Sequence, residues 1–287
     1  MARIPYGNRR AGVLVNLAQA ARLDLITEGL PIIASSAQSF WSASRLLEEG
    51  SREAVVLEGF AEEEAAKALI LMDMVRCPTK HVSRRAGAIV KTFYDHLGRL
   101  IYADAQHWRP ANLDMLRTYV NEAREGHRLE GYVGEYIVPN WTRYSRESRL
   151  YADIEVHEDG IPQWSTPSGC GTKSVFGRPP TAQCLVEAMA ATGMFTRRGV
   201  QITHDIWNTL DFIDVQHFDD SRRLTRELFN RLDAEQLVTE KANHDHAADL
   251  LNHWQMPMYD FEFREVDVPL EVLEAEREAN YWNEFGY

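Results

Sequence analysis

Long apolar runs are missing from this sequence. None approaches the ~18 residues of a membrane-spanning helix, and the mean hydropathy is −0.38, so no membrane partner is expected. Cysteine is scarce: Cys77, Cys170 and Cys184 are scattered, with no Cys-x-x-Cys pair and no even set that would frame disulfides. That usage fits a reducing, cytoplasmic compartment. The opening residues MARIPYGNRR carry charge but no apolar stretch leading to a cleavage site, so no secretory leader is expected. An excess of positive charge is also lacking. The net charge is −12, which argues against a protein that coats nucleic acid without discrimination. Phosphate-binding and metalloprotease signatures are absent too. Gly169, Gly171, Lys173 and Gly177 do not have Walker A spacing, and no His-Glu-x-x-His or Glu-x-x-His occurs. No internal repeat or low-complexity tract is found.

What is present is an ordinary globular composition over 287 residues, 45% hydrophobic and 10% aromatic. Charge is unevenly distributed. Residues 81–149 hold eleven Lys/Arg against eight Asp/Glu, while residues 255–287 hold two against nine. A local basic cleft is therefore compatible with an acidic whole, and the acidic tail reads first as a solvated face.

Periodicity and stop signals predict a mostly α protein. Helices are expected over Arg10–Glu28, stopped by Gly29 and Pro31, and over Ile32–Glu49, closed by Gly50. Ser51 should cap a third helix reaching Arg76, where Cys77-Pro78 ends it. A fourth is expected from Ser83 to Ala105, and a fifth from Leu113 to Glu125 behind Asn112. Residues 128–180 are rich in Gly, Pro, Ser, Tyr and Trp, with short strands expected at 132–138 and 150–156. Helical pattern resumes at 181–194, 203–214, 221–232, 243–254 and 270–282, with 258–269 extended. Three regions follow: a helical core over 1–127, an irregular, partly β insertion over 128–180, and a C-terminal helical region over 181–287 with the acidic tail.

Two features carry candidate chemistry. On a wheel of the third helix at about 100° per residue, Leu57, Phe60, Ala61, Ala68, Leu71 and Val75 share one side. Glu64 falls near its centre, with Glu58 and Glu62 well away. A carboxylate on an apolar stripe needs a partner, and Lys67 is placed three residues on. That arrangement is either a helix-surface pair or a charge facing a site or second subunit. On the fourth helix, His96 lies at the edge of the stripe formed by Ala86, Ile89, Val90, Phe93, Leu97 and Leu100. Arg99, Arg85 and Lys91 are nearby. An edge histidine beside cations suits a phosphate contact and proton transfer, although most helix-edge histidines are structural.

The run Leu46-Leu47-Glu48-Glu49-Gly50-Ser51-Arg52-Glu53-Ala54, then Glu63-Glu64-Ala65-Ala66-Lys67-Ala68, then His96-Leu97-Gly98-Arg99-Leu100, resembles the AbiV-like branch of the HEPN superfamily over residues 35–105. That branch has Glu-Glu-x-Gly-Lys and His-x-x-Lys-Leu elements. Here Ala66 replaces the glycine and Arg99 the lysine, which changes phosphate-contact geometry. The nearest form of the wider superfamily's Arg-x4–6-His motif is Lys91 to His96, with lysine for arginine. The strict matches, Arg76 to His81 and Arg197 or Arg198 to His204, lie across Pro78 or outside the resembling region and read as chance.

The resemblance implies a HEPN-like helical bundle, a homodimer, and a role in phage defence by abortive infection. The implied activity is metal-independent RNA cleavage without a cofactor, with RNA as the partner. His96 would transfer protons, Arg99 or Lys91 would steady the phosphorane charge, and Glu64 with Lys67 would orient the site. Two other classes compete. His246, Asp249 and His253 share a helix face and would be the ligands of a metal-dependent hydrolase. A non-catalytic HEPN-like module would bind a nucleotide or a regulatory partner protein instead.

Overall fold

The computed structural model describes residues 12–156, 160–167 and 178–286. Cys170 and the glycine-rich segment 168–177 with Lys173 lie outside the described residues. The chain is mostly helical, as its periodicity predicts. A short α1 (Val13–Asn16) precedes α2 (Gln19–Ser44), α3 (Arg52–Arg76), α4 (Thr79–Tyr94) and α5 (His96–Asp104). A 3-10 turn, Ala105–His107, leads to α6 (Leu113–Ala123). The hairpin β1 (His127–Glu130) and β2 (Tyr136–Pro139), then α7 (Trp141–Leu150), then the hairpin β3 (Asp153–Val156) and β4 (Pro162–Ser165) make up the middle. Helices α8 (Thr181–Ala191), α9 (Arg197–Trp207), α10 (Phe218–Ala234), α11 (His244–His253) and α12 (Leu270–Phe285) follow.

Helix α3 is the axis of the core. It packs against α2, α4, α5, α7, α8 and α9, and from Ala65 to Ala68 its alanines are wholly buried apart from Lys67. Small side chains let six helices approach one. Ser51 caps α3 by accepting from the Ala54 N–H at 3.3 Å, and Asn112 caps α6 from the Met115 N–H.

Four expectations are corrected. The helix stop at Gly29-Pro31 does not occur: α2 runs through both. Pro31 lies on the exposed face, so its ring and missing N–H disturb only a solvated turn while the opposite face packs along α3. The single helix from Ser83 to Ala105 is two helices. Asp95 adopts an extended conformation (φ −80°, ψ 123°), and its carboxylate accepts from the Leu97 N–H to cap α5. In the middle region, Tyr132 and Val133 belong to the turn between β1 and β2, where Gly131 and Gly134 take positive φ. Residues 141–150 are helix. The 258–269 segment is extended but pairs only at an isolated bridge, Glu125 with Val266.

That segment works as a strap. Within its approach, Gln255 accepts at its carbonyl from Arg76 and the Met258 N–H donates to Asp73 on α3. Asp260 pairs with Arg85 on α4. Phe263 lies against Gly98 on α5, where a Cβ would meet the Phe263 Cβ at 3.1 Å. Gly126 donates to the Val266 carbonyl at 2.8 Å.

Candidate functional site

The break at Asp95 makes His96 the first residue of α5 instead of a mid-helix edge residue. Its side chain is 59% exposed. Its Nδ1 lies 2.7 Å from Glu63 Oε2 on α3. Glu63 is 4% exposed and is the meeting point of three side chains. Its Oε2 also accepts from Arg99 Nη2 at 2.9 Å, and its Oε1 accepts from Arg146 Nε at 2.6 Å. Arg99 Nη2 and Arg146 Nη2 stand 2.7 and 3.0 Å from the same His96 nitrogen. With the Nδ1 proton directed at Glu63, Nε2 holds the free lone pair, and it has no hydrogen-bond partner among the described residues. One carboxylate against two guanidiniums leaves local positive charge even when the imidazole is neutral.

Arg146 is delivered by α7. Asn140 sets that helix in place: its Oδ1 accepts from the Arg143 N–H, and its Nδ2 donates to the carbonyls of Ala123 and Glu125, each at 2.8 Å. At the other end, Arg52 of α3 donates to the Arg149 and Leu150 carbonyls at 2.8 and 3.1 Å, satisfying the helix's last acceptors.

Between α3, α5 and α7 lies a cleft of about 270 Å³. Val55, Leu100 and Trp141 form apolar wall. Glu58, Glu62 and Asp104 supply carboxylates, and Arg146 stands at the border with the His96 cluster. Gly59 also lines it, and a Cβ built there meets nothing within 4 Å.

His96 and Arg99 are thus brought together, with Glu63 and Arg146 as unexpected companions. Glu64 pairs with Lys67, each side chain about 20% exposed, and Lys67 lies 5.7 Å from the centre of the Phe93 ring. No hydrogen bond or ion pair joins either to His96. Lys91 is exposed on α4. The wheel reading of α3 is corrected: Glu58, Glu62 and Glu63 are the buried acids, and Glu64 is partly solvated. A helix surrounded by neighbours has no single apolar side for a wheel to find. Glu63 could have been suspected from the repeated acid run Glu62-Glu63-Glu64, which a solvated face alone does not require. Arg146 had a signal in the Asn140 cap and the Arg143–Glu147 pair at i, i+4.

The remaining candidates are structural. Arg85 is buried and held by Asp211, Asp260 and Tyr259. Burial would raise the pKa of Asp211, but the Arg85 hydrogen bond and charge outweigh it and hold this carboxyl below its usual value. His204 is buried, with Nδ1 2.8 Å from the Val75 carbonyl oxygen, while Arg197 and Arg198 pair with Asp24 and Glu235. His246, Asp249 and His253 line a second, open groove. Asp249 is held by Arg178 at 2.7 Å, and His246 Nδ1 accepts from the Asn243 N–H at the helix cap. Among the described residues no group of His, Cys, Asp and Glu is arranged to hold a metal ion.

No helix among the described residues is long and apolar enough to cross a membrane. Comparison of the chain with family models, with curated proteins and with solved structures finds no match.

Proposed function

We propose that this protein is a metal-independent endoribonuclease of the HEPN type, acting as a toxin in abortive infection. The observation that carries the reading is the His96 cluster. A solvent-facing imidazole is fixed through Nδ1 by the buried Glu63, with two guanidiniums beside it. In this mechanism His96 Nε2 takes the proton of an RNA 2′-hydroxyl. The oxygen attacks the adjacent phosphorus, the bond to the 5′-oxygen breaks, and that oxygen takes a proton from water. The products carry a 2′,3′-cyclic phosphate and a 5′-hydroxyl. Arg99 and Arg146 stabilise the charge gathering on the phosphorane oxygens. Glu63 holds the imidazole in one tautomer, as a third group does in other histidine-based sites. DNA lacks the nucleophile.

The homodimer implied by the resemblance belongs to the same proposal. The carboxylate that seemed to call for a second subunit, Glu64, has its partner in Lys67 of its own chain, so the resemblance alone supports it. Sedimentation at micromolar concentration tests it, and a sole 32.9 kDa species would refute it.

The decisive experiment incubates purified protein with total RNA in EDTA. Cleavage should persist with the chelator and fall roughly 10²–10⁴-fold in His96→Ala, with the fold unchanged because an exposed side chain contributes little stability. Cleavage that survives His96→Ala but stops with EDTA overturns the mechanism.

A further inference from the structure

The charges around the His96 cluster are sorted. Arg99 and Arg146 converge at Glu63, at one edge of the cleft, while Glu58, Glu62 and Asp104 line the cleft itself. A phosphate is drawn to the first and repelled by the second. The group that enters the cleft must therefore be uncharged and able to donate hydrogen bonds to carboxylates. It must also be flat enough to use an aromatic wall.

The wall is present. Trp141 is 63% exposed and lines the cleft together with Phe60, and a base stacks on such a face. The helix that forms the floor carries Gly59, whose missing side chain leaves open space. The volume, about 270 Å³, is close to the lower limit for ligand pockets and suits one base with its sugar at the rim.

We infer that the cleft is a base pocket selective for guanine. Among the four bases only guanine places two adjacent donors, N1–H and the N2 amino group, on one edge, matching the two oxygens of a carboxylate. Its O6 and N7 acceptors match a guanidinium such as Arg146 at the border. Adenine and cytosine offer an amino donor beside an acceptor, and uracil a single N–H. Glu62, only 1% exposed and on the cleft wall, is the carboxylate best placed to read that edge. This inference names the substrate of the ribonuclease proposed above, and it rests on that reading only for the polymer, not for the base.

Guanosine 3′-monophosphate is titrated against the full-length protein by tryptophan fluorescence and calorimetry, with the adenosine, cytidine and uridine monophosphates as comparators. The guanosine nucleotide should bind roughly 10-fold tighter or more. Glu62→Gln should remove that preference, and Gly59→Phe, which fills the cleft from a position with room for a side chain, should abolish binding of all four. If Glu62→Gln does not fold, Gly59→Phe still decides. Equal binding of all four nucleotides, or undiminished binding to Gly59→Phe, overturns the inference. Product ends mapped on RNA separate the two proposals. Cleavage without guanine preference or guanosine binding removes the base pocket and leaves the ribonuclease. Guanosine binding without cleavage removes the ribonuclease and leaves the pocket.

Discussion

Helix α3 carries two arginine–carboxylate nodes, one in each half, and they differ in how completely they are closed. Toward its C-terminus, Arg76 is 1% exposed and lies between Trp207 and Trp254, 4.6 and 4.2 Å from the ring centres. It donates to Asp73 and to the Gln255 carbonyl, while Asp73 also accepts from Tyr102 and from the Met258 N–H. Every strong donor and acceptor there is answered by another part of the fold. Burial and the Asp73 charge push the Tyr102 phenol well above its usual pKa. Toward the N-terminus, Glu63 is buried, but the groups around it outnumber it and reach solvent through His96. The lesson is that residue types do not separate a structural node from a reactive one. Stoichiometry and access do.

The largest effect should come from breaking the closed node. Arg76→Ala strands Asp73 in the interior and should cost about 3–5 kcal/mol, the usual result of removing one partner of a buried pair. Urea denaturation measures it. If the loss is under about 1 kcal/mol, the node is not the lock described here.

Glu63→Gln sharpens the comparison from the open side. Glu63 is a positioning residue, because it touches His96 and both arginines and does not itself exchange the substrate proton. The substitution keeps the shape, so turnover should fall roughly 10²–10⁴-fold while KM stays within about two-fold, since uniform binding is untouched. A change in KM alone would show that Glu63 serves binding instead.

These two nodes also show what the sequence makes legible. Ser51 and Asn112 were readable as caps because capping depends on one side chain and the next three residues. Most helices are local in the same sense, and so the mostly α class follows from periodicity. Pro31 was misleading because its effect depends on which face is solvated. The break at Asp95 was hidden in a stripe that stays apolar through Leu97 and Leu100, although an aspartate ahead of an apolar run is a cap signal. Of the site, His96 and Arg99 were legible from their spacing. Glu63 was not, because the phase of a helix buried on all sides depends on tertiary neighbours. Arg146 was not, because it comes from a helix whose Trp, Tyr and Ser content resembles loop.

Acid should separate the two α3 nodes from a third place, α11. His253 is half-buried, and burial with the Arg109 charge lowers its pKa. A histidine with a depressed folded pKa binds a proton more readily when unfolded. Its contribution to stability is therefore complete above the unfolded value near 6.5 and is lost as pH falls through the folded value. The carboxyl of Asp211, also depressed, adds a second loss further down, below about pH 4. Stability measured by denaturation should decline in two stages on acidification, and His253→Gln should remove the first. A single stage unchanged by that substitution contradicts the assignment.

The smallest effect is a gain. Gly59 sits inside α3 with open space where a Cβ would stand, so Gly59→Ala should raise stability by about 0.5–1 kcal/mol, seen as an upward shift of the denaturation midpoint. A loss would mean that the glycine is needed for the backbone and not for the cleft.

The strap over residues 255–266 has a kinetic consequence. Its hydrogen bonds to α3 join residues 179 and 185 positions apart in the chain, so the α3 framework closes only through contacts of very long sequence separation. Helical proteins fold fast when their contacts are local, and loop closure on this scale slows them. During synthesis, α3 to α5 emerge long before the strap that pins Arg76, Arg85 and Gly98. Until the strap arrives, Asp73 and Arg76 lack the backbone partners that answer them, and α5, which carries His96, is not yet braced by Phe263. The catalytic geometry is therefore a late product of folding, completed from the distal part of the chain.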